Sequence, residues 1–282
     1  MSDIAIALFI GLCAGTHIAT WGMYKDSPHE GFTWARYFRS ITVGGLVGLA
    51  IYQITHPTLN MALAGDRVVL YGSAYAMERA LVEFWKTFIR REDQSKYFIP
   101  GMFHIFGKVI QSPGQRLGIG IGVIVFVLAV AGGVYWLETS DIHIHPLIVL
   151  LVAGSAGGWI SAFGGAWKDA PIEGFETFKF FRSPGIAFFY GCIVGFFTNH
   201  YLFIMLGAIG YTISTIETYK TFFFLDRPRG KFQGMPEHFP EMRTRRFRFL
   251  PVYIAIWTLV IVNLVMAFLE PHNGISTQVF GF

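Results

Sequence analysis

Eight long apolar runs, at 4–23, 41–54, 68–85, 117–137, 146–167, 185–198, 201–219 and 250–269, leave this chain few folds to adopt. A bilayer core about 30 Å thick takes roughly 20 residues of helix, and backbone groups in hydrocarbon must bond within their own segment. The runs are therefore read as about eight membrane helices, not strands. Those at 41–54 and 185–198 are short, and 68–85 carries Glu78, Arg79 and Glu83. Charged residues make up 14% of the 282, against about 25% in a soluble domain, so this surface cannot be kept in water. That excludes a water-soluble enzyme and a disordered regulator. Cys13 and Cys192 both sit in apolar runs and make no disulfide framework.

The basic residues orient the helices. Of the 22 Lys and Arg, 20 fall in the connections that follow the first, third, fifth and seventh runs. The first connection holds Lys25, Arg36 and Arg39, and the third holds Lys86, Arg90, Arg91, Lys96, Lys108 and Arg116. The fifth holds Lys168, Lys179 and Arg182. The seventh holds Lys220, Arg227, Arg229, Lys231, Arg243, Arg245, Arg246 and Arg248, leaving only Arg67 and Arg79 elsewhere. Basic connections stay in the cytoplasm, so both termini are expected on the non-cytoplasmic side. No basic n-region of a signal peptide precedes 4–23, which reads as a retained helix. The expected class is an all-α polytopic protein of a bacterial-type cytoplasmic (inner) membrane.

The chain is also written twice. Lys25-Asp-Ser-Pro-His-Glu-Gly-Phe32, followed by Phe38-Arg39-Ser40, is answered by Lys168-Asp-Ala-Pro-Ile-Glu-Gly-Phe175, followed by Phe181-Arg182-Ser183. The offset is 143 throughout, and it also pairs Gly15 with Gly158, Gly22 with Gly165 and Gly48 with Gly191. A second element, Glu83-Phe-Trp-Lys86-Thr-Phe88, is answered at offset 134 by Glu217-Thr-Tyr-Lys220-Thr-Phe222. Each is followed by a Lys (Lys96, Lys231), a Gly-Met pair and a His (His104, His238). Residues 1–140 and 141–282 are thus expected to be two parallel four-helix repeats, related by a pseudo-twofold along the membrane normal and merged into one bundle.

The duplicated elements hold the candidate site. Proline disfavours helix in the residue before it and glycine permits a turn, so Asp26 with Glu30, and Asp169 with Glu173, can face one point. Two such carboxylates offer hard oxygen ligands to a divalent cation, and a neighbouring Arg39 or Arg182 grips phosphate. Lys25 and Lys168 add charge. Glu83 and Lys86, like Glu217 and Lys220, are three residues apart on one helical face. They either pair with each other or complete the site of their own repeat. The same residue types also serve as topological anchors and turn formers.

Other positions read more plainly. Glu78 and Arg79 lie deeper, in the first repeat only, and His17 reads as a hydrogen-bonded packing residue. Glu138, Asp141, His143 and His145 read as a solvated outer loop. Glycines four apart (Gly11 and Gly15, Gly44 and Gly48, Gly154 and Gly158, Gly191 and Gly195) allow close helix crossings.

Function narrows to three classes. Walker A, G-x-S-x-G, H-E-x-x-H and C-x-x-C are all absent, which points away from ATP hydrolysis and redox chemistry. The Arg243, Arg245, Arg246 and Arg248 cluster is held at a membrane edge; it suits anionic lipid headgroups at about 1 kcal/mol per residue, not nucleic acid. The first reading is therefore binding or processing of a phosphorylated or lipid-linked substrate at the cytoplasmic interface. The stretch Lys86-Thr-Phe-Ile-Arg-Arg91, in four-helix units with polar cytoplasmic motifs, loosely resembles the CDP-archaeol synthase and phosphatidate cytidylyltransferase enzymes without assigning a family. The second reading is a parallel-repeat transporter of a small or lipidic solute. The third is a non-catalytic subunit of a larger membrane complex, and self-association is compatible with all three.

Overall fold

A computed structural model describes residues 2–224 and 230–281, so Arg227 and Arg229 lie outside the described residues. The fold is predominantly helical, and the one sheet among the described residues is a hairpin of two-residue strands, β1 (His104–Ile105) and β2 (Lys108–Val109). Every apolar run falls on a helix. In order these are α1 (Asp3–Glu30), α2 (Trp34–Ile54), α3 (Ala64–Phe84), α4 (Pro113–Thr139), α5 (Pro146–Lys168), α6 (Thr177–Val194), α7 (Tyr201–Phe222) and α8 (Leu250–Leu269). Turns of π-helix follow α3 at Trp85–Ile89 and interrupt α5 at Leu150–Gly154.

Among the described residues, five helices are long and apolar enough to cross a membrane on their own: α1, α4, α5, α7 and α8 with the turns that precede it. Eight membrane helices were expected, and five meet this measure. The other three bring charge or proline into the helix: Arg36 and Arg39 in α2, Glu78, Arg79 and Glu83 in α3, and Lys179, Arg182 and Pro184 in α6. Such a helix is stable in a membrane when its neighbours cover it. α3 follows this rule, with Val69, Leu70, Ser73, Ala74 and Tyr75 fully buried against α1, α2, α7 and α8. α4 is the opposite case, since only 6% of its most apolar stretch is buried.

Glycine sets how closely the helices cross. At the α1–α2 crossing, a Cβ on Gly15 would overlap the Ser40 carbonyl and lie 2.8 Å from the Ile41 Cα. At the α5–α6 crossing, a Cβ on Gly158 would lie 2.5 Å from both the Ser183 carbonyl oxygen and the Pro184 Cα. Each member of one crossing stands 143 residues from its counterpart in the other. Both helix pairs also turn at a glycine of the duplicated element, Gly31 at φ 72° and Gly174 at φ 90°, a conformation that side chains disfavour. Between the pairs, α3 meets α7 at Gly72, Gly207 and Gly210, and the Tyr211 hydroxyl donates to the Val68 carbonyl (2.9 Å).

The charged connections gather at one end of this bundle and cross over one another. The Phe98 N–H donates to the Lys231 carbonyl (2.7 Å), joining the α3–α4 and α7–α8 connections, and the Tyr97 and Phe232 rings touch there at 5.6 Å. The α7–α8 connection then reaches α1, where the Phe239 N–H donates to the Pro28 carbonyl (2.9 Å). From the α3–α4 connection, His104 Nε2 donates to the Lys168 carbonyl at the end of α5 (3.2 Å). At the opposite end Glu138 turns inward, accepting from the Tyr201 N–H (2.7 Å) and meeting His200 Nδ1 (2.6 Å).

Candidate functional site

Two cavities lie at the charged end. One, of about 110 Å³, is walled by α1, α2 and α3. The other, of about 280 Å³, is walled by α5, α6 and α7. Fifteen residues lining the second stand at offset 143 or 134 from a residue lining the first. Asp169, Arg182 and Lys220 occupy the positions of Asp26, Arg39 and Lys86.

Cations outnumber carboxylates in the lining of the first cavity, and five of the six are held in ion pairs, two of the acids (Glu83, Glu92) lying just outside it. Arg36, Arg39, Arg79, Lys86, Arg90 and Lys231 line it, against Asp26 and Glu30. The acidic pair closes on Lys231, whose Nζ is 2.8 Å from Asp26 Oδ2 and 3.5 Å from Glu30 Oε1. Burial disfavours the Lys231 ammonium, but the two carboxylates outweigh this and hold its pKa above the ordinary lysine value. The Tyr97 hydroxyl sits between Glu30 Oε1 (2.7 Å) and Glu92 Oε2 (2.9 Å); burial, then the Glu30 carboxylate, push its pKa up. Glu92 also pairs with Arg90 (2.6 Å) and Lys96, and these contacts override its burial and keep its carboxyl below the usual range. Arg36 reaches Glu30 at 3.3 Å, and the Arg39 guanidinium lies 5.3 Å from the Trp85 ring.

The E-x-[W/Y]-K element joins the two halves as well as serving its own. Glu83 pairs with Lys86 (3.1 Å) and with Arg79, while Arg79 lies over the Trp21 ring at 5.2 Å. Glu217 pairs with Lys220 (3.3 Å) and also with Lys25 of the first half (3.2 Å). Lys168 stands near enough to Glu83 to attract it in turn. Of the twelve candidate residues, Asp26, Glu30, Arg39 and Lys86 share the first cavity, and Asp169, Arg182, Glu217 and Lys220 share the second. Lys25, Glu83, Lys168 and Glu173 line neither cavity.

In the second half, Lys179 pairs with Glu173 and lies 3.9 Å from Asp169. Each acidic pair therefore already holds a lysine ammonium. A divalent cation fits Asp26 with Glu30, or Asp169 with Glu173, only in place of that lysine. Among the described residues, no three His, Cys, Asp or Glu converge as a metal-binding group.

Sequence reasoning did not place Arg36, Arg79, Arg90, Lys179 and Lys231 in the site. One signal was available: Arg36 and Lys179 are basic at offset 143, just before Arg39 and Arg182. Glu78 is fully buried beside this cluster, next to Ser40 of α2 and within reach of the charges of Arg79, Lys86 and Arg39.

Deep in the first half, rings close the space. His17 Nδ1 is 3.1 Å from the Tyr75 hydroxyl, which also accepts from Trp21 Nε1 (2.9 Å). His17 stacks on Tyr253 of α8 at 4.3 Å and meets Trp257 edge-on at 5.2 Å. No family model, curated protein or solved structure matches this chain.

Proposed function

We propose that this chain is an integral membrane protein of eight spans, built as two parallel four-helix repeats with both termini outside the cytoplasm. In this reading it binds a phosphate-bearing, lipid-linked substrate at the cytoplasmic interface. One observation carries the ligand class: six cationic side chains line the first cavity against two carboxylates. Arginine presents paired donors that match phosphate oxygens, and lysine adds a point charge. Support for the repeat comes from the paired crossings at Gly15 and Gly158 and from the shared offsets of the two cavity linings. Support for the membrane comes from the five apolar helices and the nearly bare flank of α4.

The test is calorimetric titration of the purified protein with pyrophosphate and with dodecyl phosphate. Hydrogen bonds to charged groups contribute about 1.5–3 kcal/mol each, so Arg39→Gln is expected to weaken both by about tenfold or more. Absence of saturable binding, or affinity unchanged in Arg39→Gln and Lys86→Gln alike, contradicts the reading.

A further inference from the structure

The second cavity is larger than the first because small or aliphatic residues stand where the first has rings. Ile160 replaces His17, Gly164 replaces Trp21 and Ile209 replaces Tyr75 at the same offsets. In the first half, Tyr253 and Trp257 of α8 stack against those rings. Among the described residues none from α4 lines the second cavity, and only 6% of the most apolar stretch of α4 is buried. The inner wall is therefore aliphatic, formed by Ile160, Ala162, Ile209, Ile213 and Ile216. Ile160 is 62% exposed on the outer flank, so this wall opens sideways onto the surface that a bilayer covers.

The mouth differs in kind from the wall. Lys179, Arg182 and Lys220 are matched there by Asp169, Glu176 and Glu217, a polar ring of no net sign. Water is poorly held against an aliphatic wall that offers it few partners. An apolar chain matches that wall, with its head at the level of the ring.

We propose that the second cavity binds one apolar chain, alkyl or isoprenoid, of a membrane amphiphile. The chain enters between α5 and α7 from the bilayer flank, and the balanced charges at the mouth receive its head. This goes beyond anion binding in the first cavity and does not rest on it.

The test is photolabelling of the full-length protein in lipid nanodiscs with a diazirine-bearing dodecyl phosphate, mapped by mass spectrometry. Label is expected on α5 around Ile160 and on α7 between Ile209 and Ile216, with dodecanol competing and inorganic phosphate not. Gly165 lines the cavity and a Cβ there meets no atom within 4 Å, so Gly165→Phe fills the space without touching backbone. It is expected to cut the label at least tenfold while the melting temperature holds. Ser161→Phe is the second filling variant, should the first fail to fold. Label spread evenly over the lipid-facing helices, label unchanged in a folded filling variant, or label removed by inorganic phosphate overturns the proposal. Label retained in Arg39→Gln supports it, and loss of pyrophosphate binding there bears only on the first cavity.

Discussion

The two cavities share a ground plan and differ in what fills it. In the first, Arg79, His17, Trp21 and Tyr75 put charge and rings where the second has Ile213, Ile160, Gly164 and Ile209. The result is a small space whose lining holds six cations and two carboxylates, beside a larger aliphatic one lined by three of each. The two share backbone devices, namely the glycine crossings, the positive-φ turn and the basic residue at positions 39 and 182. They differ in side chains that the backbone does not constrain. Shared scaffold and divergent lining can be tested separately.

The scaffold predicts the largest effect. Gly15→Val and Gly158→Val each drive a side chain into neighbouring backbone, and overpacking of this kind costs about 1–3 kcal/mol or more. Both variants are expected to melt well below the parent in detergent; a tolerated change at either site would break the equivalence of the crossings.

The lining predicts the next. Arg79→Ile gives the first cavity the residue of the second and is expected to weaken pyrophosphate binding about tenfold, one charged hydrogen bond's worth. Lys220→Gln in the second cavity is expected to change it less than twofold, as read by calorimetry. Equal losses would erase the distinction between the two sites.

Alkali tests the Lys231 ion pair of the first cavity. Lys231 has a folded pKa above its ordinary value of about 10.4. Its pairing with Asp26 and Glu30 thus contributes full stability below that value and loses it as pH rises through the folded value. Glu92, held low, contributes above its ordinary value of about 4.3 and loses this as pH falls through its folded value. The melting difference between the parent and Lys231→Met is therefore expected to be constant near neutrality and to shrink above pH 10.4. A difference that persists through that range would remove the ion pair from the account.

The smallest effect is expected where the halves meet. Lys25→Met removes one partner of Glu217 from a largely buried pair, but Glu217 keeps Lys220, so the loss is expected to stay below that at the glycine crossings. Thermal melting at low and high salt checks it.

Much of this arrangement was legible in the sequence, and the reasons are local. A period of apolar residues and a fixed offset between identical elements are properties of the chain itself, so the helices and the paired charged motifs could be read directly. Contacts made across the halves could not. Lys25 meets Glu217, 192 residues away, and Lys231 meets Asp26 over a similar distance. Nothing in their spacing encodes that meeting, because it follows from how α7 and the connection after it pack against α1. The site expected within one repeat is for the same reason stitched to the other. Glu78 was visible as a charge inside a helix, but its burial depends on packing by α2, which brings Ser40 and Arg39 to it. The difference in cavity size was also hidden: it follows from single residues such as Gly164 opposite Trp21, and from α8 covering a face that α4 leaves open.

Residue-resolved lysine protection tests the central claim most directly. The purified protein is treated with an amine-reactive acylating reagent, with and without saturating pyrophosphate, and modification is quantified at Lys86 and Lys220 in the same sample. The cationic first cavity predicts that pyrophosphate slows modification of Lys86 at least severalfold and leaves Lys220 unchanged. Equal protection at both lysines, or protection at neither, would contradict it.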